Sequence, residues 1–227
     1  MHDRILGLFI GNIATLPSGA DSAIYKHAVT QPIAVDTQGL VGDHYSDRTN
    51  HGGPDRALLH YCARHYADWQ REFPQVAQHF QPPAFGENIS SGTMDEDTVC
   101  IGDRFRLGTA LLQVAQPRTP CWKLNDRFGI ADMALRVQES VRCGWLYRVL
   151  EPGNVEPNAA IELLERPHPD MTVAALMRAI FTTQPSTDLL AAIAALEELS
   201  PNWRSKAERR LSGEYSDTSA RLQGDRA

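Results

Sequence analysis

Four cysteines in 227 residues, Cys62, Cys100, Cys121 and Cys143, are few and far apart. No C-x-x-C pair of the structural-zinc or thioredoxin kind is formed. A chain of this length with so little cysteine does not depend on disulfides, and reduced thiols in a cytoplasmic protein are the expected state. No apolar run approaches the roughly 20 residues a membrane span needs. The run Ile5 to Ile10 resembles a short signal core, but Asp3 and Asn12 interrupt it, and an opening β-strand is expected instead. Basic excess is also missing: the net charge is −6, which argues against a partner that is a nucleic-acid polymer. A local basic pocket remains compatible with that balance. Finally, there is no G-x-G-x-x-G, no Walker loop and no G-x-S-x-G elbow, which removes the common nucleotide-binding and serine-hydrolase signatures.

What is present is an ordinary core-forming composition, 42% hydrophobic and 22% charged. Short apolar runs punctuated by turn residues fill the first two-thirds: Ile5 to Ile13, Ala23 to Val29, Ala57 to Tyr61, Thr98 to Ile101, Arg104 to Leu107, Ala110 to Ala115, Cys143 to Leu150 and Ala160 to Arg166. Helical periodicity appears at Arg64 to Phe73, with Tyr66, Trp69 and Phe73 on one face, and at Ala131 to Val141. Many short strands with helices as insertions predict a mainly β fold closed into a barrel. The grammar changes near Arg166-Pro167-His168-Pro169-Asp170. Three stripes follow: Val173, Leu176, Met177 and Ile180; Leu189, Ile193 and Leu196; Trp203, Ala207 and Leu211. Thr172 is placed to cap the first, and Ser200-Pro201 to open the third. The predicted domains are a barrel over 1–166, a three-helix bundle over 167–215 and a disordered tail over 216–227.

The segment Gln116-Pro117-Arg118-Thr119-Pro120-Cys121-Trp122-Lys123-Leu124 sets one cysteine among two cations and two prolines. Cations beside a cysteine generally favour the thiolate, the form that attacks electrophiles and binds soft metals. The segment leaves Cys121 open as nucleophile, metal ligand or buried thiol. A second cluster, His51-Gly52-Gly53-Pro54-Asp55-Arg56-Ala57 with His60 and Tyr61, pairs glycines that let backbone amides approach an anion with a bidentate cation, Arg56; an ordinary tight turn explains it equally well. Phe85-Gly86-Glu87-Asn88-Ile89 sets a donor–acceptor amide, Asn88, beside a flexible glycine. His51, His60 and His65 lack zinc-ligand spacing, so core or exposed histidines are the better reading. A Cys121–histidine hydrolase is not excluded by spacing, since such partners meet only in the fold. Cys62, Cys100 and Cys143 read as small buried hydrophobes. Arg204, Lys206, Arg209 and Arg210 recur at helical spacing, as a solvated face or a docking surface for an acidic redox partner.

Taken together and in order, Gly39-Leu40-Val41-Gly42-Asp43, the two glycine clusters, Gly102-Asp103, the cysteine segment, Gly144-Trp145-Leu146-Tyr147 and the helical tail with Arg209-Arg210-Leu211-Ser212-Gly213 resemble the MOSC-domain family of the YiiM type. The domain is named for the C-terminal domain of molybdenum cofactor sulfurase. The resemblance implies a MOSC-type β-barrel with inserted helices, then a small three-helix domain. It implies a molybdenum cofactor (molybdopterin), with Cys121 as the metal ligand and Arg56, Gly52, Gly53, Asn88, Arg118 and Lys123 around the pterin and its phosphate. The activity implied is reduction of N-hydroxylated compounds such as 6-hydroxylaminopurine, with His51 or His60 as proton source. No flavin or iron–sulfur motif is present, so a separate flavoprotein would donate electrons. The sulfurase's pyridoxal-phosphate domain has no counterpart in this chain. Two other readings stand beside the reductase: a non-catalytic carrier of molybdenum cofactor or sulfur, and a metal-free Cys121-dependent hydrolase or transferase. A homodimer is also compatible with these residues.

Overall fold

In a computed structural model, residues 2–47, 52–214 and 217–224 are described. Seven strands carry the fold: β1 (His2–Gly11), β2 (Leu58–Cys62), β3 (Ile89–Ser91), β4 (Arg104–Leu107), β5 (Ala110–Pro117), β6 (Trp145–Glu151) and β7 (Ala160–Glu165). Around the ring the order is β1, β7, β4, β5, β6, β2, β3 and back to β1, a closed barrel. Neighbours are antiparallel except β2 and β3, which pair parallel from His60↔Ile89 to Cys62↔Ser91. That connection needs a crossover, and it contains α1 (Arg64–Glu72). The Tyr66 and Trp69 face of α1 is buried as its spacing predicts. Trp69 donates its indole N–H to Tyr61 Oη at 2.7 Å. It closes over a cluster of stacked rings that includes Phe73, Phe80 and Phe85.

Six further helices follow: α2 (Lys123–Phe128), α3 (Met133–Ser140), α4 (Val173–Phe181), α5 (Thr187–Ala194), α6 (Pro201–Leu211) and α7 (Ser219–Gln223). Thr172 caps α4, its hydroxyl accepting from Ala175 N at 3.0 Å. Ser200 works differently from expectation. Its hydroxyl makes no cap bond; its backbone N–H donates to Ala115 O at 3.0 Å and so ties the start of α6 to β5. Val173 N to Val99 O and Ala174 N to Glu96 O add two more backbone links between helices and barrel. One continuous core therefore runs from Leu58 and Phe105 in the barrel to Ile193 and Trp203 in the bundle.

Three local expectations are corrected. Of Ala23 to Val29 only Lys26–Ala28 is strand. Thr98 to Ile101 is a turn, because Asp95 O and the Asp103 carboxylate take the amides of Val99 and Cys100; its outward pairing is one antiparallel bridge, Cys100 opposite Thr172. The tail predicted as disordered over 216–227 contains α7, which docks on the barrel through residues given below. Among the described residues no helix is long and apolar enough to cross a membrane.

Candidate functional site

The end of β5 carries the site. Gln116 and Pro117 are still paired to β6, at Leu146 and Trp145. The chain then leaves the sheet and is fixed again when Arg118 N donates to Gly144 O at 3.0 Å. Prolines 117 and 120 remove two donors and restrict the loop. Helix α2 begins directly after it, with Leu124 N on Cys121 O at 3.0 Å. Cys121 is thus half-buried on a short, braced loop, and it lines a cavity of about 560 Å³.

Three parts of the chain wall this cavity. The barrel side provides Lys26, His44, Arg56, Asn88, Gln116 and Arg118; the bundle adds Asn202 and Lys206; the C-terminal segment adds Ala220 and Arg221. That last segment clasps the cysteine loop. Trp122 N donates to Arg221 O at 2.8 Å, while the Arg221 guanidinium donates to Pro120 O and, at 2.6 Å, to Gln138 Oε1. Asn125 adds a bond to Leu222 O at 2.7 Å.

Of the residues singled out in the sequence, Cys121, Arg56, Arg118, Lys123 and Asn88 are brought together here. Their states differ. Lys123 Nζ donates to Asp21 O at 2.7 Å and to Ser46 Oγ at 3.4 Å. Arg118 has a buried Nη1 with no hydrogen-bond partner among the described residues, and so does its neighbour Gln116 at Oε1. Buried polar atoms are almost always satisfied, so these two mark where a bound group would complete the wall. Asn88 is spent structurally: Oδ1 accepts from Leu59 N at 3.0 Å, and Nδ2 donates to Asp43 Oδ2 at 2.7 Å and Phe9 O at 3.2 Å. It has no edge to offer a heterocycle, which corrects its assignment. Gly52 and Gly53 do not line the cavity; Gly53, at φ 100°, starts the 3-10 turn that carries Arg56, and accepts its amide at 2.9 Å.

The histidine assignments also change. His51 lies outside the described residues. His60 is buried away from the cavity, with Tyr147 Oη 3.0 Å from Nδ1 and Ser91 Oγ 2.8 Å from Nε2. Burial drives its pKa down to about 3, so near neutrality the ring is uncharged and is no general acid. His65 pairs with Glu96 at 2.7 Å. The imidazole that does line the cavity is His44, whose Nδ1 lies 3.3 Å from Gly11 O.

Burial of His60 has a measurable signature. The unfolded chain protonates this residue at about 6.5 and the folded one only at about 3. Its contribution to stability is complete above pH 6.5 and is lost as pH falls toward 3. Glu87, fully buried under Tyr66 Oη at 2.5 Å, is pushed by desolvation from 4.5 up to about 7. Its contribution is complete below 4.5 and is lost as pH rises through 7. The two slopes oppose each other between pH 4.5 and 6.5. Urea unfolding across that range should show stability falling with pH in His60→Gln and rising in Glu87→Gln; identical profiles in both variants would mean neither group titrates as its burial requires.

Sequence reasoning gave no role in or beside the cavity to His44, Lys26, Asp43, Lys206 or Arg221. Lys26 and Asp43 form an ion pair at 2.5 Å, with side chains 5% and 1% exposed; burial lowers the Lys26 pKa. Asp43 also accepts from Gly11 N at 2.7 Å. Lys206 was read as part of a solvated or docking face, yet it projects into the cavity, over the Trp203 ring at 4.6 Å and 3.4 Å from Thr119 Oγ1. Arg221 lay in the supposed tail. The three other cysteines are structural as expected: burial raises the thiol pKa of each, to about 11 for Cys100. Among the described residues no group of three His, Cys, Asp or Glu could hold a metal by itself. Cys121 would therefore be one ligand of a group that brings the others with it.

A profile of the MOSC domain matches residues 47–162, and one of the YiiM-like 3-alpha helix domain matches 171–214. This chain belongs to the YiiM-type MOSC family. It is 43% identical over 218 residues to protein YiiM of Escherichia coli K12, spanning 96% of this chain and 97% of that one. The crystal structure of E. coli YiiM superposes with a TM-score of 0.83 at 38% identity, over 98% and 99% of the two chains. A protein named reductase from Gibberella moniliformis is 40% identical over 171 residues, which cover 75% of this chain and 30% of that longer one. For this YiiM-type chain the matched barrel and bundle are two of the three parts that wall the cavity, and Cys121 lies inside the MOSC match.

Proposed function

We propose that this protein reduces N-hydroxylated compounds of the 6-hydroxylaminopurine class to amines, using a molybdenum cofactor held in the cavity at Cys121. One observation carries the reading: a lone, half-buried cysteine stands on the wall of a cation-lined cavity that leaves Arg118 Nη1 and Gln116 Oε1 unsatisfied. A soft sulfur ligand beside donors for an anionic heterocycle is the chemistry such a cofactor requires. Membership of the MOSC family and the reductase name of the G. moniliformis relative support the same class.

When bound, the cofactor supplies the two electrons for N–O cleavage. The chain's residues do the rest. Cys121 Sγ anchors the metal, and Arg118, Lys123 and Arg56 hold and orient negative charge. Phe85 and Trp122 wall the cavity against water. R–NH–OH becomes R–NH2 and water by uptake of two electrons and two protons. His44, not His60, is placed to move a proton onto the departing oxygen. Electrons come from a separate flavoprotein. Of the two histidines the hydrolase alternative could use, His60 has both ring nitrogens engaged, by Tyr147 and Ser91.

The test is expression of the full chain in a cofactor-competent host, molybdenum analysis, and turnover of 6-hydroxylaminopurine with an artificial reductant. Stoichiometric molybdenum with turnover is expected. Molybdenum without turnover would leave a carrier, and turnover without molybdenum would remove the cofactor from the reading.

A further inference from the structure

Three carboxylates are buried among the described residues, Glu87, Glu96 and Asp103. Asp103 is held by Arg166 at 2.7 Å, and Glu87 accepts from Tyr66 Oη. Glu96 has partners of another kind. One oxygen lies 2.7 Å from His65 Nε2 on α1, and the other accepts the backbone N–H of Gly144 at 2.6 Å. Its own carbonyl receives Ala174 N at 2.8 Å from the first turn of α4. The turn that carries it is braced as well. Arg64 donates to the Asp95 carboxylate at 2.6 Å, and Asp95 O accepts from Thr98 N and Val99 N. A buried carboxylate on a fixed turn therefore grips one glycine of the main chain.

That glycine stands directly behind the cysteine loop. Gly144 sits at φ 76°, and a Cβ there would lie 2.3 Å from His60 O, so the position calls for glycine. Glycine also has the most backbone freedom to lose, and needs holding. Glu96 takes its N–H; its C=O accepts Arg118 N at 3.0 Å. Pro117 and Pro120 have no amide to offer, so the Arg118 bond is a principal attachment of the loop to the sheet. Arg118 then sets its buried Nη1 on the cavity wall, three residues before Cys121.

We propose that Glu96 is the positioning residue of the cysteine loop. It does not line the cavity. Its carboxylate holds Gly144 in the left-handed conformation, Gly144 holds Arg118, and the pair fixes where Arg118 and the Cys121 sulfur stand. A charge-assisted hydrogen bond is roughly twice as strong as a neutral one and gains further where water is excluded. His65 occupies the second oxygen, which keeps the carboxylate from swinging away. The proposal deepens the reductase reading by naming what steadies its sulfur ligand. It rests on that reading only for the purpose of the placement, because the loop can be followed in the metal-free chain.

The experiment follows the full metal-free chain by amide hydrogen exchange at Arg118 and by alkylation of Cys121 with iodoacetamide, read by mass spectrometry. Cys62, Cys100 and Cys143 are buried and serve as internal references. Glu96→Ala should speed exchange at Arg118 about tenfold or more and raise the alkylation rate of Cys121 severalfold, as the loop comes away from Gly144. Glu96→Asp draws the carboxylate back from Gly144; it should move both rates the same way and serves if Glu96→Ala does not fold. Glu96→Gln keeps a carbonyl for Gly144 N and an amide for His65, and should bring both rates most of the way back. Val155→Ala loosens a buried position that does not line the cavity and should leave both rates unchanged, which separates positioning from general loss of stability. Unchanged rates in Glu96→Ala and Glu96→Asp, equal changes in Val155→Ala, or no rescue by Glu96→Gln overturns the proposal. Failure of the reductase reading would instead appear in the molybdenum and turnover assays, with Arg118 exchange and Cys121 alkylation still governed by Glu96.

Discussion

Replacing Cys121 with Ala should remove bound molybdenum and depress reduction of 6-hydroxylaminopurine more than about a hundredfold, since even outer-shell partners of a metal ligand are worth 10–100-fold. The fold should be unaffected. Cys121 is half-buried on a loop whose backbone is tied at Gly144, Arg221 and Leu124, and none of those bonds uses its sulfur. Loss of one partly exposed atom typically changes stability by less than about 1 kcal/mol. Cys143→Ala is the matched control. That thiol is wholly buried and donates to Gly144 O at 3.3 Å, so its loss should cost stability and leave molybdenum in place. Metal analysis, turnover and melting of the two variants side by side check both statements. Full activity in Cys121→Ala would end the assignment of the cysteine as ligand.

Asp43→Ala should be the most destabilising single change around the cavity, at about 3–5 kcal/mol, the usual cost of leaving a buried charge without its partner. The carboxylate receives Lys26 Nζ, Gly11 N and Asn88 Nδ2. Asn88 in turn binds Leu59 N and Phe9 O. One side chain therefore joins β1, β2 and the start of β3 beneath the cavity. Removing Lys26 as well, as Lys26→Met with Asp43→Ala, should recover part of the loss, because the uncompensated ammonium is gone. Urea unfolding of the two single variants and the double variant measures the coupling. A loss below about 1 kcal/mol in Asp43→Ala would show that water reaches the pair, as at exposed ion pairs.

Much of this architecture was legible because period and punctuation speak directly to the backbone. The Tyr66–Trp69 face, the strands around the Gly108-Thr109 turn and the Thr172 cap followed from local chemistry. The cysteine loop stood out for the same reason, its prolines and cations being adjacent in sequence. What could not be read was partnership across the chain. Asn88 looked like a recognition amide because nothing nearby hinted at Asp43, and His60 looked available until Tyr147 and Ser91 closed on it. Lys206 presented the spacing of a solvated helix face. Only the fold shows that its turn of α6 meets the barrel mouth. Polar, short and near the end, Ser219–Gln223 carries no apolar stripe, and its docking depends on Trp122 and Pro120 a hundred residues earlier.

The clasp of α7 on the cysteine loop makes the chamber a joint construction of distant segments. The loop bearing Cys121 holds its geometry partly through bonds at Trp122 and Pro120 from residues about a hundred positions later. Loosening that one seam would loosen the sulfur's footing and one wall of the chamber together.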